Sequence, residues 1–233
     1  MQLPKAKTLS RNDKLNSLRA AVLGANDGIV STSGLIFGVA GATNNRAAIF
    51  TAGLAGLIAG AISMALGEYV SVSTQRDTER AFIAREKDLL QKDPKGQLND
   101  LAAFYEQKGV SRATALQFAK ELTTDDPIKA HLEAELKLDE QDLTNPLTAA
   151  VSSFFSFTLG ALVPLIPAVA ASDTYRMKIT LIAVVLGLFL TGYYSATIGG
   201  GDKWAAVRRV VIGGIVAMVV TYVVGRAFGT AVN

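Results

Sequence analysis

The chain has 233 residues, half of them apolar and 18% charged, with a formal net charge of +3. Its positive mean hydropathy excludes an ordinary soluble domain at that share of charge. With no cysteine there is neither a disulfide framework nor a thiolate metal site.

Ionisable side chains almost vanish from five windows, 28–45, 47–67, 147–172, 179–201 and 210–225, with Arg46 between the first two. A helix needs about 20 apolar residues to cross a bilayer. The expected fold class is therefore an all-α membrane protein. It has five transmembrane helices and a helical cytoplasmic insert between the second and third. The expected organisation is a basic lead over 1–17, spans one and two over 18–74, the insert over 75–146, and spans three to five over 147–233.

The basic excess does not mark a nucleic-acid binder, because these residues stand beside spans, where the positive-inside rule accounts for them. Lys5, Lys7, Arg11, Lys14 and Arg19 precede the first span, and Lys203, Arg208 and Arg209 lie between the fourth and fifth. The opposite turns hold Arg46, and then Asp173, Arg176 and Lys178. The N-terminus and the insert are thus expected in the cytoplasm and the C-terminus outside. A basic start before an apolar run also fits a signal peptide. The run lacks a small-residue cleavage site and carries Asp27 and many glycines, so a retained span is expected. Leu3, Leu9, Leu15 and Leu18 allow a weak amphipathic helix on the headgroups; a tail that only fixes topology is the plainer reading.

The first span, 18–42, contains Asn26-Asp27-Gly28. A carboxylate within a span costs on the order of 2.5–3.5 kcal/mol on insertion scales, so Asp27 must face protein, water or a cation. The competing reading is an interface residue that caps the helix start. Gly34, Gly38 and Gly41 follow as a small-residue face for close helix contact. After a short turn at 43–46, one continuous helix is expected from Thr51 to Asp88, apolar to Gly67 and polar beyond it. Gly56, Gly60, Met64 and Glu68 stack on one face of it, and Glu86 returns to the azimuth of Glu68 after about five turns. A lone methionine in a span is usually packing. Its place one turn from Glu68 makes Met64 a candidate ligand.

Pro94 and Gly96 are expected to end the long helix. Three shorter helices should follow, over about 97–108, from Ser111, and from Asp125-Asp126-Pro127. The last carries the chain's single histidine. His131 and Glu135, four apart, share a helix face, a two-ligand grip suited to divalent transition metals. Glu79, Glu86, Asp100 and other acidic residues nearby are either further ligands or simply a solvated face. Asn145-Pro146 leads into the third span, which has a Pro164/Pro167 kink; the fourth covers about 179–198 and the fifth about 204–229.

Three segments carry a family resemblance. Asn26-Asp27-Gly28-Ile-Val-Ser-Thr32, Gly60-Ala-Ile-Ser-Met64-Ala-Leu-Gly67-Glu68-Tyr69-Val70 and Gly160-Ala-Leu-Val-Pro164-Leu-Ile-Pro167 resemble the vacuolar iron transporter (VIT) family. The order of parts is similar as well, over essentially the whole chain. The resemblance implies a homodimeric exporter of Fe²⁺ and related ions such as Mn²⁺, working against protons from the cytoplasm into a vacuole or, in a bacterium, outward across the inner membrane. It implies pore roles for Asp27 and Met64, and places Glu68 at the cytoplasmic end of the second span. In the insert it implies metal ligands at Glu86 and Glu135. Asp100 keeps a carboxylate, whereas Leu89 and Gln97 stand where the family pattern favours glutamate. No prosthetic group is implied, only Fe²⁺ or Mn²⁺ as bound and transported ions.

In a dimer each pore residue appears twice. Two facing Asp27 carboxylates repel each other unless a proton or a cation lies between them, which offers a route to proton coupling. Among rivals, an intramembrane aspartyl protease needs a second span aspartate, which the sequence lacks. A membrane-anchored metal sensor or store would need neither Asp27 nor kinked, glycine-lined spans.

Overall fold

The computed structural model describes residues 11–136 and 143–232; the start of the basic lead and residues 137–142 lie outside them. The described elements are α1 (Arg11–Ala42), α2 (Arg46–Lys92), α3 (Pro94–Gln107), α4 (Arg112–Asp125), α5 (Pro127–His131) with a π-helical turn at Leu132–Leu136, α6 (Pro146–Ala170), α7 (Arg176–Gly199) and α8 (Lys203–Val232). Five segments are long and apolar enough to cross a membrane: Leu18–Ala42, Arg46–Lys92, Pro146–Ala170, Arg176–Gly199 and Lys203–Gly229. They stand where the charge-free windows lie. The chain divides into two compact units, one built around Val70–Pro146 and the other from Leu15–Tyr69 with Leu147–Asn233.

In the unit of spans, small residues let helices meet backbone to backbone. A methyl group built on Gly160 of α6 would collide with the Ala25 carbonyl of α1, and one on Gly28 would collide with that of Phe157. Further along α1, Gly38 and Gly41 press in the same way against Thr221, Tyr222 and Gly225 of α8. Between lipid-soluble helices there is no hydrophobic drive to associate, so such close packing supplies the attraction. The glycines of α2 work differently, making room for side chains. Gly53 admits Ile36 and Leu165, Gly56 admits Leu35, and Gly60 admits the Phe157 ring. The core beside them holds Ile36, Ile49, Leu57, Phe157 and Leu165. Phe155, Leu159, Ile182, Val220 and Phe228 stay exposed, a hazard in water and a solvated face in lipid.

Both ends of this unit are tied by polar contacts. Arg46 donates to the Val169 and Ala171 carbonyls at 3.2 and 2.9 Å and pairs with Asp173 at 2.9 Å. The last carbonyls of α6, which no helix turn satisfies, gain partners in this way. The buried Arg176 also pairs with Asp173. At the other end Gly200, with φ of 70°, ends α7, and Asp202 caps α8 by accepting from the Trp204 and Ala205 N–H groups at 2.9 and 3.0 Å. The Ala205 N–H above all, with that of Trp204 and the charges of Arg208 and Arg209, holds the Asp202 carboxyl below its ordinary range.

In the other unit α3, α4 and α5 close over Leu101, Ala102, Ala115, Ala119, Ala130 and Ala134, with Tyr105 edge-on to Phe104 and Phe118. The long helix ends at Lys92, where Pro94 and Gly96 mark a stop, and the same residues open α3 three residues before its expected start. Asp93 is its N-cap, accepting from the Gly96 N–H at 2.8 Å, and Pro94 takes the first helical position, where no N–H is needed. The same device recurs at Asp126-Pro127, with the Lys129 N–H donating to Asp126 at 3.0 Å.

Candidate functional site

A cavity of about 360 Å³ opens between α1 and α2 in the unit of spans. From α1 it is lined by Asp27, Ser31 and Leu35, each one turn beyond the last; from α2 by Gly56, Gly60, Ser63 and Met64. Phe157 of α6 completes the lining, its ring in the space that Gly60 leaves open. Asp27 is exposed here, and no basic side chain among the described residues pairs with it. The Ser31 hydroxyl donates to the Asp27 backbone carbonyl at 2.5 Å, so both of its lone pairs are left for other donors or a cation. A carboxylate, a thioether and two hydroxyls thus share one cleft within the apolar zone. Hard oxygen with soft sulfur is a ligand set that favours a transition metal over Mg²⁺ or Ca²⁺.

Glu68 lies one turn beyond Met64. It is 8% exposed and accepts from Arg19 at 2.8 Å. Arg19 is legible in the sequence only as a topology-setting charge. The signal for the pair was nonetheless there: Arg19 precedes Asp27 by eight residues, two turns back on α1, and α1 and α2 run antiparallel. Ser31 and Ser63 are likewise lining residues that the motif reading passed over.

The second group of candidates lies in the other unit. His131 Nδ1 stands 3.2 Å from a Glu86 carboxylate oxygen, with the two side chains 0% and 11% exposed. A buried imidazole beside a buried carboxylate is either an ion pair or a neutral hydrogen-bonded pair, and both atoms are metal ligands in kind. Glu79 sits two turns before Glu86 and accepts from Gln75 at 2.8 Å. Asp100 is exposed on α3. Among the described residues no three His, Asp or Glu side chains gather into a cluster able to hold a metal. The side chain of Glu135 lies outside the described residues. Its backbone belongs to the π-helical turn Leu132–Leu136 that follows His131.

Five membrane-crossing helices, three of which line a cleft that holds a carboxylate, define a multi-pass membrane protein, and its relatives are named as transporters and not as enzymes. The chain belongs to the VIT family, whose profile matches residues 18–226. It is 38% identical over 212 residues to a vacuolar iron transporter of Acanthamoeba castellanii, covering 89% of this chain and 77% of that protein. It is 33% identical over 232 residues to vacuolar iron transporter homolog 1 of Arabidopsis thaliana, covering 99% of this chain and 92% of the relative. A VIT-like transporter 1b of Glycine max is 32% identical over 216 residues, 92% of this chain and 77% of the relative.

Proposed function

We propose that the protein exports Fe²⁺, and Mn²⁺ with it, from the cytoplasm by exchange for protons, as a homodimer whose two Asp27–Met64 clefts face each other. One observation carries this reading: a carboxylate and a thioether share an intramembrane cleft in which the carboxylate is exposed and has no basic partner among the described residues. A single chain would leave that charge to lipid at a cost of on the order of 3 kcal/mol. A second copy across the open side doubles every ligand and encloses the charge. The paired carboxylates then hold either a metal or a proton, because two like charges at close range cannot both stay bare. Glu68 stands at the cytoplasmic mouth with Arg19 as its resting partner, and an arriving cation displaces the guanidinium.

The names of the relatives support iron as the cargo. The basic residues flanking α1 and α8 support an N-terminus and insert in the cytoplasm and a C-terminus outside, in a bacterial inner membrane or a vacuolar one. Under this reading the insert collects metal, with Glu86 and His131 as its first ligands and Glu79, Asp100 and Glu135 as the carboxylates within reach of a rearrangement.

The test is uptake into proteoliposomes of the full chain, with Fe²⁺ or Mn²⁺ outside and the pH gradient varied. Metal should accumulate faster against an opposing proton gradient, and the lumen should change pH in step with metal. Uptake indifferent to the gradient rules out exchange. Metal binding without flux makes the chain a sensor or store instead.

A further inference from the structure

A second and larger cavity lies between α1, α7 and α8, with a volume of about 640 Å³ and no residue in common with the Asp27 cleft. Arg19 and Arg209 line it, and no carboxylate does. Thr191 and Ser195 add hydroxyl groups on the α7 side. Asn26 adds an amide from α1, and the rest of the wall is apolar and includes Leu23 and Ile198, which are 49% and 55% exposed and so continue the lipid-facing surface into the cavity.

The neighbouring charges leave both guanidinium groups with donors to spare. Arg19 reaches Glu68 through one terminal nitrogen, leaving the rest of its five N–H donors. Asp202 attracts Arg209, but its own oxygen is engaged with the Trp204 and Ala205 N–H groups. Lys203 and Arg208 on the same stretch of α8 add positive charge outside the lining.

We propose that this cavity binds the phosphate of an anionic membrane lipid, held between Arg19 and Arg209 with the lipid chains on Leu23 and Ile198. Guanidinium groups match phosphate oxygens in geometry as well as charge. A basic cleft between spans near one interface is where anionic headgroups lodge. The apolar wall selects a lipid over free phosphate, since a soluble ion would leave that wall against water.

Trp204 is the chain's only tryptophan and stands five residues before Arg209 on α8, so it serves as the reporter. The full chain is reconstituted in phosphatidylcholine vesicles that contain a small fraction of brominated phosphatidylglycerol or, in parallel, brominated phosphatidylcholine. Quenching of Trp204 should be stronger with the anionic lipid, and unbrominated phosphatidylglycerol should relieve it; that competition needs no variant. Arg209→Gln should weaken the preference roughly fivefold, the effect of one basic group near an anionic surface. Arg208→Gln removes the same charge one residue away, outside the lining, and should leave the preference in place. Equal quenching by the two lipids overturns the proposal. So does an equal loss in both variants, which would mean diffuse surface charge. Displacement of the brominated lipid by inorganic phosphate overturns the lipid assignment in favour of a soluble ion.

Discussion

Asp27→Asn should lower Fe²⁺ flux in proteoliposomes by about a hundredfold while leaving the protein folded and inserted. The substitution keeps the side-chain shape and removes the charge. Taking one charged partner from a site in low dielectric costs about 3 kcal/mol or more, which corresponds to about two powers of ten. The loss should appear in transport and in metal binding to the spans. Because Asp27 is exposed in its cleft, the change creates no buried void. Flux within twofold of wild type would remove Asp27 from the path. Met64→Leu keeps the bulk and removes the sulfur. It should preserve flux but reduce the preference for Fe²⁺ over Mg²⁺ in competition assays, because only the soft ligand is lost. An unchanged preference would return Met64 to a packing role.

Gly160→Ala should be the most damaging small substitution in the spans. The added methyl has nowhere to go, since it meets the Ala25 carbonyl of α1 and not the tip of a flexible side chain. Overpacking of this kind costs about 1–3 kcal/mol, and more when the obstacle is backbone. The thermal midpoint should fall by several degrees, on the scale of about 2–4 °C per kcal/mol for a chain of this size. Transport should fall with it, because the crossing lies beside Asn26 and Asp27 and separating α1 from α6 moves the carboxylate. Gly213→Ala is the control: nothing lies within 4 Å of a methyl there, so the exchange should be neutral or gain up to about 1 kcal/mol from helix propensity. Equal midpoints for the two variants would show that the α1–α6 crossing is slack.

Hydropathy and helical periodicity are local properties, and what depends on them was legible in the sequence. The five spans, the unbroken run of α2 past Glu68, the Ser111 and Asp126-Pro127 helix starts, and Asp27 and Met64 as candidates all follow from residues within a few turns of one another. The 93–96 stretch shows the limit of such reading. The long helix does stop there, at Lys92, but the next helix begins at Pro94 and not near 97, because Asp93 accepts from the Gly96 N–H and satisfies the first orphan donors of a new helix.

What only the tertiary structure decided is which residues meet across helices. The spacing of Asp27 and Met64 in sequence does not put them in one cleft. Their register does, and that register is set by contacts such as Gly160 on Ala25 and Phe157 in the gap left by Gly60. Arg19 on Glu68 and Glu86 on His131 join residues 49 and 45 positions apart, beyond the reach of any local period. A sequence carries the chemistry of each side chain. The partner that neutralises, orients or competes with it is fixed by packing between helices, and in these spans that packing rests on where side chains are missing.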